Sequence, residues 1–296
     1  MKPLFEQMTV VGLGLLGGSL AQACRKHGFV GKIVGFGRNL KNLEKAKKLN
    51  LIDDWYSNLS SAVKGSDLVI ICTPVGSIVS RVREMIPALK RKCILTDVGS
   101  VKAPLVKEIE RLLPDNIHFI GSHPIAGSEK SGFEASYPDL FEGANCIVTR
   151  TPKTDPTTLE CIIGFWQKLG STVLQMDAEE HDMVYGAVSH LPHIVAFTLV
   201  NTIAGLQTKN SNDIFSFGGK GFEDMSRLAF SEPVMWKDIC ILNKRAVLDI
   251  IERFEDTLGE IKSGIGKEEE DFLVKTFLNA REVFTRVGTS YSQVKE

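Results

Sequence analysis

The chain of 296 residues has almost no net charge, no closely paired cysteines and no linker-like run. Its 35 Lys and Arg balance 36 Asp and Glu to a formal charge of -1, so a nucleic-acid polyanion is not an implied partner, and any pull on an anionic ligand must come from a local cluster. The six cysteines (Cys24, Cys72, Cys93, Cys146, Cys161 and Cys240) contain no C-x-x-C pair, and four lie in or beside strand-like apolar runs. They read as reduced, buried thiols of a cytoplasmic protein, not as a disulfide framework or a zinc site, and no metal is expected. Residues 7–24 are uncharged but contain four glycines and lack the basic and apolar regions of a signal peptide. The long uncharged run, 183–208, includes His190, Pro192, His193, Asn201 and Gln207, so it is expected to be a helix buried in protein or at a subunit interface, with no membrane partner.

Hydrophobic residues at 43% and charged residues at 24% are ordinary for a globular protein, and this length suits one large or two modest domains. The β-rich runs MTVVGL, KIVGFG, DLVIICT, KCILTDV, IHFIGSH, ANCIVT and STVLQM fill the chain up to Asp177. The first five are separated by stretches such as Ser77–Leu89 and Val101–Leu113 with apolar residues at helical spacing. Strand-helix alternation predicts a doubly wound, mostly parallel α/β sheet. Beyond Asp177 the pattern predicts helices over about 178–208, 232–262 and 267–287, with a glycine-rich piece, Phe217–Phe222, between the first two. The expected domains are therefore 1–177, dinucleotide-binding, and 178–296, helical.

Gly12, Gly14 and Gly17, with Leu15 and Leu16 between the last two, follow the first strand and open a helical stretch. In that setting the first glycine permits a turn, the second admits a pyrophosphate, and the third lets helix and strand pack closely. After the second strand an NAD-preferring protein usually carries an acidic residue, whereas this chain has Gly37, Arg38 and Asn39. Arg38 could hold a 2'-phosphate, so NADP is favoured over NAD. Thr73 and Pro74, at the carboxyl end of the DLVIICT run, fall where such folds place cofactor contacts.

The segments Asp97–Lys102 and Gly121–Glu129 also close apolar strands and should open into the same crevice. His123 there suits a general base, with a serine hydroxyl to orient it, or a structural role. His190 and His193 form an H-x-x-H pair, but Pro192 interrupts it and no third ligand is evident, which favours polar contacts to an anionic substrate over a metal. Arg227 could clamp a carboxylate or form a surface salt bridge.

GLGLLGGSLA, DVGSVK, GSHPIAGSEKSG, SHLPH, GFEDMSRLA and SEPVMW, in this order, closely resemble the prephenate/arogenate dehydrogenase family of tyrosine biosynthesis, over about residues 8–284. The resemblance implies a Rossmann-type domain followed by an all-helical domain that forms a homodimer. It also implies NAD(P)-dependent oxidative decarboxylation of prephenate to 4-hydroxyphenylpyruvate, with arogenate as the alternative substrate. By that resemblance His123 is the catalytic hydrogen-bond acceptor and Ser100 positions it and the substrate hydroxyl. His193 contacts the substrate, Arg227 binds a substrate carboxylate, and Glu129 pairs with that arginine to gate the site. His190, Asp224 and Trp236 match supporting positions, and Arg38 departs from the acidic residue of many members. A base of this kind sets an expected apparent pKa of about 6 to 7. The alternative from another class is a non-catalytic dinucleotide sensor, which retention of Ser100, His123, His193 and Arg227 together disfavours.

Overall fold

A strand that is apolar on both faces needs cover on both, and all four side chains of the segment Leu68–Ile71 are buried. Leu68 and Ile70 enter one core with Met8, Val10 and Ile33, while Val69 and Ile71 enter another with Val11, Val34 and Leu95. A computed structural model describes residues 3–127, 132–206 and 214–293. In it β1 (Phe5–Val11), β2 (Val30–Phe36), β3 (Asp54–Tyr56), β4 (Leu68–Ile71), β5 (Ile94–Asp97) and β6 (His118–Ile120) form one parallel sheet, ordered β3-β2-β1-β4-β5-β6. The helices α1 (Leu15–His27), α2 (Leu40–Lys48), α3 (Leu59–Val63), α4 (Ile78–Met85) and α5 (Ala103–Leu112) alternate with these strands. The strand order reverses between β1 and β4, so the crevice lies past Val11 and Ile71.

A second sheet holds β7 (Ser122–Pro124), β8 (Asn145–Arg150) and β9 (Thr172–Asp177), with α6 (Pro156–Lys168) leading from β8 to β9. β7 runs antiparallel to β8, and β8 parallel to β9. The run IHFIGSH, read as one strand, is therefore two. The chain leaves the first sheet at Gly121, where a Cβ would lie 2.5 Å from Thr149 Oγ1. That close approach of β8 leaves room only for glycine and carries His123 onto the second sheet.

Beyond Asp177 the described chain is helical: α7 (Ala178–Tyr185), a π turn at Gly186–His190 and α8 (Leu191–Ala204), then α9 (Lys220–Ser226), a short turn at Arg227–Phe230 and α10 (Pro233–Leu242). Pro192 does not end the helix, because it occupies the first turn of α8 and the preceding π turn takes up the altered hydrogen bonding. The run Ala178–Ala204 is long and apolar enough to cross a membrane by length and composition. It nevertheless carries His181 and Asp182 buried in a polar network and leaves Met183 and Val188 exposed on its outer side. The helix expected over 232–262 is split at Asn243, which caps α10 before α11 (Lys244–Gly266), and α12 (Glu270–Gln293) follows. By packing the chain divides into Met1–Val247 and Leu248–Glu296. In the latter, Phe272 and Leu273 of α12 pack over Gly264.

Candidate active site

A cleft of about 930 Å³ opens past the ends of β1, β2 and β4, lined by Gly12, Gly14, Arg38, Lys41, Thr73, Pro74 and Arg81 among others. Gly12 has φ +104, and a Cβ there would lie 2.9 Å from the Cys72 carbonyl oxygen, so the turn admits only glycine. A Cβ on Gly17 would stand 1.9 Å from the Gly12 carbonyl oxygen, which locks the helix onto the turn. A Cβ on Gly14 would meet nothing within 4 Å. Gly14 is also the N-cap of α1 and supplies no side-chain cap, so the backbone N–H groups of the first turn face space a phosphate could fill. The residues thus fit a dinucleotide. Leu15 and Leu16 pack partly into the core, which makes their part a backbone one. Among the described residues no acidic side chain lines the cleft, and the Arg81 guanidinium lies 5.8 Å over the Phe36 ring.

The turn Val75–Ser77 joins this cleft to the helical part of the chain. Gly76 admits α10 so closely that a Cβ would be 2.6 Å from Asp238 Oδ2, and Val75 shares a core with Trp236 and Ile239.

His123 lies on β7 opposite Ile147. Its backbone is fixed from both sides: the Ser122 N–H donates to Asp97 Oδ1 at 3.2 Å, and the Ser122 carbonyl accepts from Lys102 Nζ at 2.9 Å. Lys102 and Asp97 are fully buried and ion-paired with each other. The Ser122 hydroxyl meets Thr96 Oγ1 at 2.8 Å and accepts from Trp166 Nε1 at 3.0 Å. The His123 ring touches His181, with Nδ1 2.8 Å from His181 Nε2, and Tyr185 stands edge-on at 4.7 Å between ring centroids. His181 Nδ1 in turn lies 2.8 Å from Asp182 Oδ1. Asp182 accepts the N–H of Lys102 at 2.7 Å and of Ala103 at 2.8 Å. Burial above all, then the neighbouring His181, Lys102 and His190, holds His123 well below the ordinary imidazole value of 6.5. On that ground the acid limb of activity, expected from the sequence at about 6 to 7, should lie lower, because the sequence does not show the burial.

His190 is fully buried in the π turn, and its Nδ1 accepts from Asn243 Nδ2 at 3.1 Å. The same amide nitrogen donates to the Asp182 carbonyl at 2.8 Å. Burial pushes His190 down to about 4 against a hydrogen bond of its ring to the Ser100 backbone, and its Nε2 is buried. His193, half-buried on α8, donates Nδ1–H to the Ser189 carbonyl at 3.0 Å and stacks on Trp236 at 3.8 Å. Trp236 Nε1 is buried with no partner among the described residues. Burial first, and the positive charge of Arg227 last, lower the His193 pKa. Arg227 opens the turn after α9, which packs against α8.

His123, His190 and His193 therefore belong to one polar region with Trp236, within the unit Met1–Val247. Ser100 is half-buried in the loop after β5, and among the described residues no hydrogen bond joins it to His123. The ring contact His123 does make is with His181. Glu129 lies outside the described residues. Asp224 and Glu223 are exposed on α9, each ion-paired with Lys220. Sequence reasoning missed His181, Asp182, Tyr185 and Asn243. The one signal that could have found two of them is the adjacent His-Asp pair in a helix that leads into the uncharged run.

The family of the prephenate dehydrogenase nucleotide-binding domain matches residues 20–175, and that of the prephenate dehydrogenase dimerization domain matches residues 177–279. Cyclohexadienyl dehydrogenase of Zymomonas mobilis is 31% identical over 97% of this chain and 98% of its own length. Prephenate dehydrogenase of Bacillus subtilis is 34% identical over 95% of this chain and 76% of its own. The crystal structure of prephenate dehydrogenase from Aquifex aeolicus, in complex with hydroxyphenyl propionate and NAD+, superposes with a TM-score of 0.89 at 38% identity, over 95% of this chain and 98% of that one. Synechocystis arogenate dehydrogenase follows with a TM-score of 0.83 at 28% identity, over 95% and 99%. With both domains matched in order and close relatives aligned along almost its whole length, the chain belongs to the prephenate dehydrogenase family.

Proposed function

We propose that this dehydrogenase catalyses the NAD(P)-dependent oxidative decarboxylation of prephenate to 4-hydroxyphenylpyruvate in tyrosine biosynthesis. The observation that carries the reading is His123: an imidazole tied down through Nδ1 to His181, with burial holding its pKa below the ordinary value, in a region that also holds His193 on Trp236. The nicotinamide cofactor supplies the hydride acceptor when bound. His123 accepts the hydroxyl proton from the carbinol as the ring loses CO2 and becomes aromatic, so the protein's part is orientation and proton removal. Ser100 is assigned the substrate hydroxyl, Arg227 a substrate carboxylate, and His193 and His190 polar contacts to the substrate. Glu129 keeps its proposed gating role toward Arg227. Arogenate is the second reading, favoured by the likeness to an arogenate dehydrogenase.

The proposed cofactor is NADP, because Arg38, Lys41 and Arg81 line the cleft with no carboxylate among its described lining side chains. The proposed division of labour falls at Asp177, the end of the last strand, with cofactor binding before it and substrate binding and homodimer formation after it. The exposed apolar side chains of the run Ala178–Ala204 support such a dimer. The deciding measurement is near-ultraviolet absorbance of reduced nicotinamide on mixing protein with prephenate or arogenate and either cofactor. Turnover with prephenate is expected, and no turnover with either substrate sinks the proposal. Arg38→Asp should shift preference toward NAD+, and a wild type that already favours NAD+ in kcat/KM overturns the assignment of Arg38.

A further inference from the structure

A neutral imidazole carries one proton on either of two nitrogens, so the tautomer of His123 decides whether its free nitrogen is a base or a donor. The hydrogen bonds behind it contain only one consistent arrangement of protons. The Asp182 carboxylate can only accept, and both oxygens are engaged by the fixed backbone N–H groups of Lys102 and Ala103. The 2.8 Å contact between Asp182 Oδ1 and His181 Nδ1 therefore uses a proton on His181 Nδ1. Neutral His181 is left with a lone pair on Nε2. The next contact, 2.8 Å to His123 Nδ1, needs one proton, and only His123 can supply it. His123 Nε2 is then bare.

We propose that Asp182 and His181 are positioning residues that fix His123 as its Nδ1–H tautomer, leaving Nε2 as the nitrogen that takes the substrate's proton. The inference rests on the reading of His123 as proton acceptor. Burial lowers the His181 pKa against the opposing pull of Asp182, which keeps His181 an acceptor at Nε2 near neutral pH. Tyr185 lies 4.7 Å from the His123 ring and 4.6 Å from the His181 ring, so neither imidazole can turn freely. Lys102 serves both ends of the chain, since its N–H holds Asp182 and its Nζ holds the Ser122 carbonyl next to His123. When Nε2 takes the hydroxyl proton, the charge on the resulting imidazolium is stabilised through His181 by the Asp182 carboxylate. No proton needs to travel along the chain.

The tautomer can be read without turnover, by nitrogen NMR of the free protein labelled at its six histidines. His123→Asn identifies the His123 signals. At pH 7.5 a protonated Nδ1 and an unprotonated Nε2 are expected for His123, and the reverse overturns the proposal even if His123 proves to be the base. In a second arm, His181→Leu removes the acceptor and should lower kcat by about 10- to 100-fold with KM for substrate within about twofold. His181→Gln, whose carbonyl can accept from Nδ1–H, should recover kcat to within about fivefold of wild type. A folded leucine variant with kcat within about threefold of wild type, or equal losses in both variants, overturns the proposal. Should the leucine variant fail to fold, the wild-type tautomer decides. Full activity of His123→Asn would instead sink the underlying reading of the base.

Discussion

The nucleotide cleft takes its defining residues from the ends of adjacent strands, whereas the histidine cluster gathers residues from much further apart. Gly12, Gly14 and Gly17 lie within six residues, from the turn after β1 into the start of α1, and what each contributes is the absence of a side chain. In the cluster, His123 on β7 meets His181 on α7 at a sequence separation of 58, and Lys102 meets Asp182 at a separation of 80. Backbone geometry is written locally, so the cleft can be read from spacing. Side-chain chemistry assembled across elements depends on how those elements pack, so only part of the cluster can be.

The sharpest break of the comparison is at the cluster, where one group is proposed to carry the proton transfer. His123→Asn should lower kcat by about 10²- to 10⁴-fold and leave cofactor affinity nearly unchanged. Stopped-flow turnover and cofactor titration would check both halves, and near-wild-type turnover would remove His123 from the mechanism.

In the cleft, two glycines should fail in different ways. Gly17→Ala forces a Cβ against the Gly12 carbonyl and should destabilise the fold by on the order of 1 to 3 kcal/mol in urea unfolding. Gly14→Ala meets no protein atom, so stability should hold while the cofactor Kd rises by about tenfold, because the methyl group occupies ligand space. Equal effects of the two changes would contradict the division between turn and cradle.

A milder perturbation is acid. His123, His181 and His190 have folded-state values below 6.5, with His190 at about 4. The unfolded chain binds protons that the fold refuses, so their contribution to stability is present above about pH 6.5 and is lost as pH falls toward about 4. The melting temperature should decline through that window. The acid limb of kcat/KM should lie below 6.5, and a limb at or above 6.5 would mean that the base titrates outside the buried cluster.

The smallest effect is expected at Glu223. It is exposed on α9 and pairs with Lys220 at 3.5 Å, so Glu223→Gln should move the ratio of kcat/KM for prephenate and arogenate by less than about threefold. A larger change would place this carboxylate in substrate choice after all.

Much of the fold was legible because period-two and helical apolar patterns survive any packing. The strand runs up to Asp177 and the helical character beyond it are such patterns. The short strand β3 around Trp55 was not, since three residues carry no period. The break between β6 and β7 was hidden too, because Gly121 looks like any strand glycine until Thr149 stands over it.

By itself the sequence determined the glycine turn, the alternation that makes a parallel sheet, and the residue types His123, His193 and Arg227 in motifs that resemble one family. Those depend on local backbone conformation and on chemistry that a side chain carries wherever it lies. Tertiary structure alone decided that His181 meets the His123 ring, that Lys102 is buried against Asp97, and that Asn243 joins His190 to α7. Burial sets protonation and proximity sets hydrogen-bond partners, and both are properties of elements packed together, not of any stretch of chain.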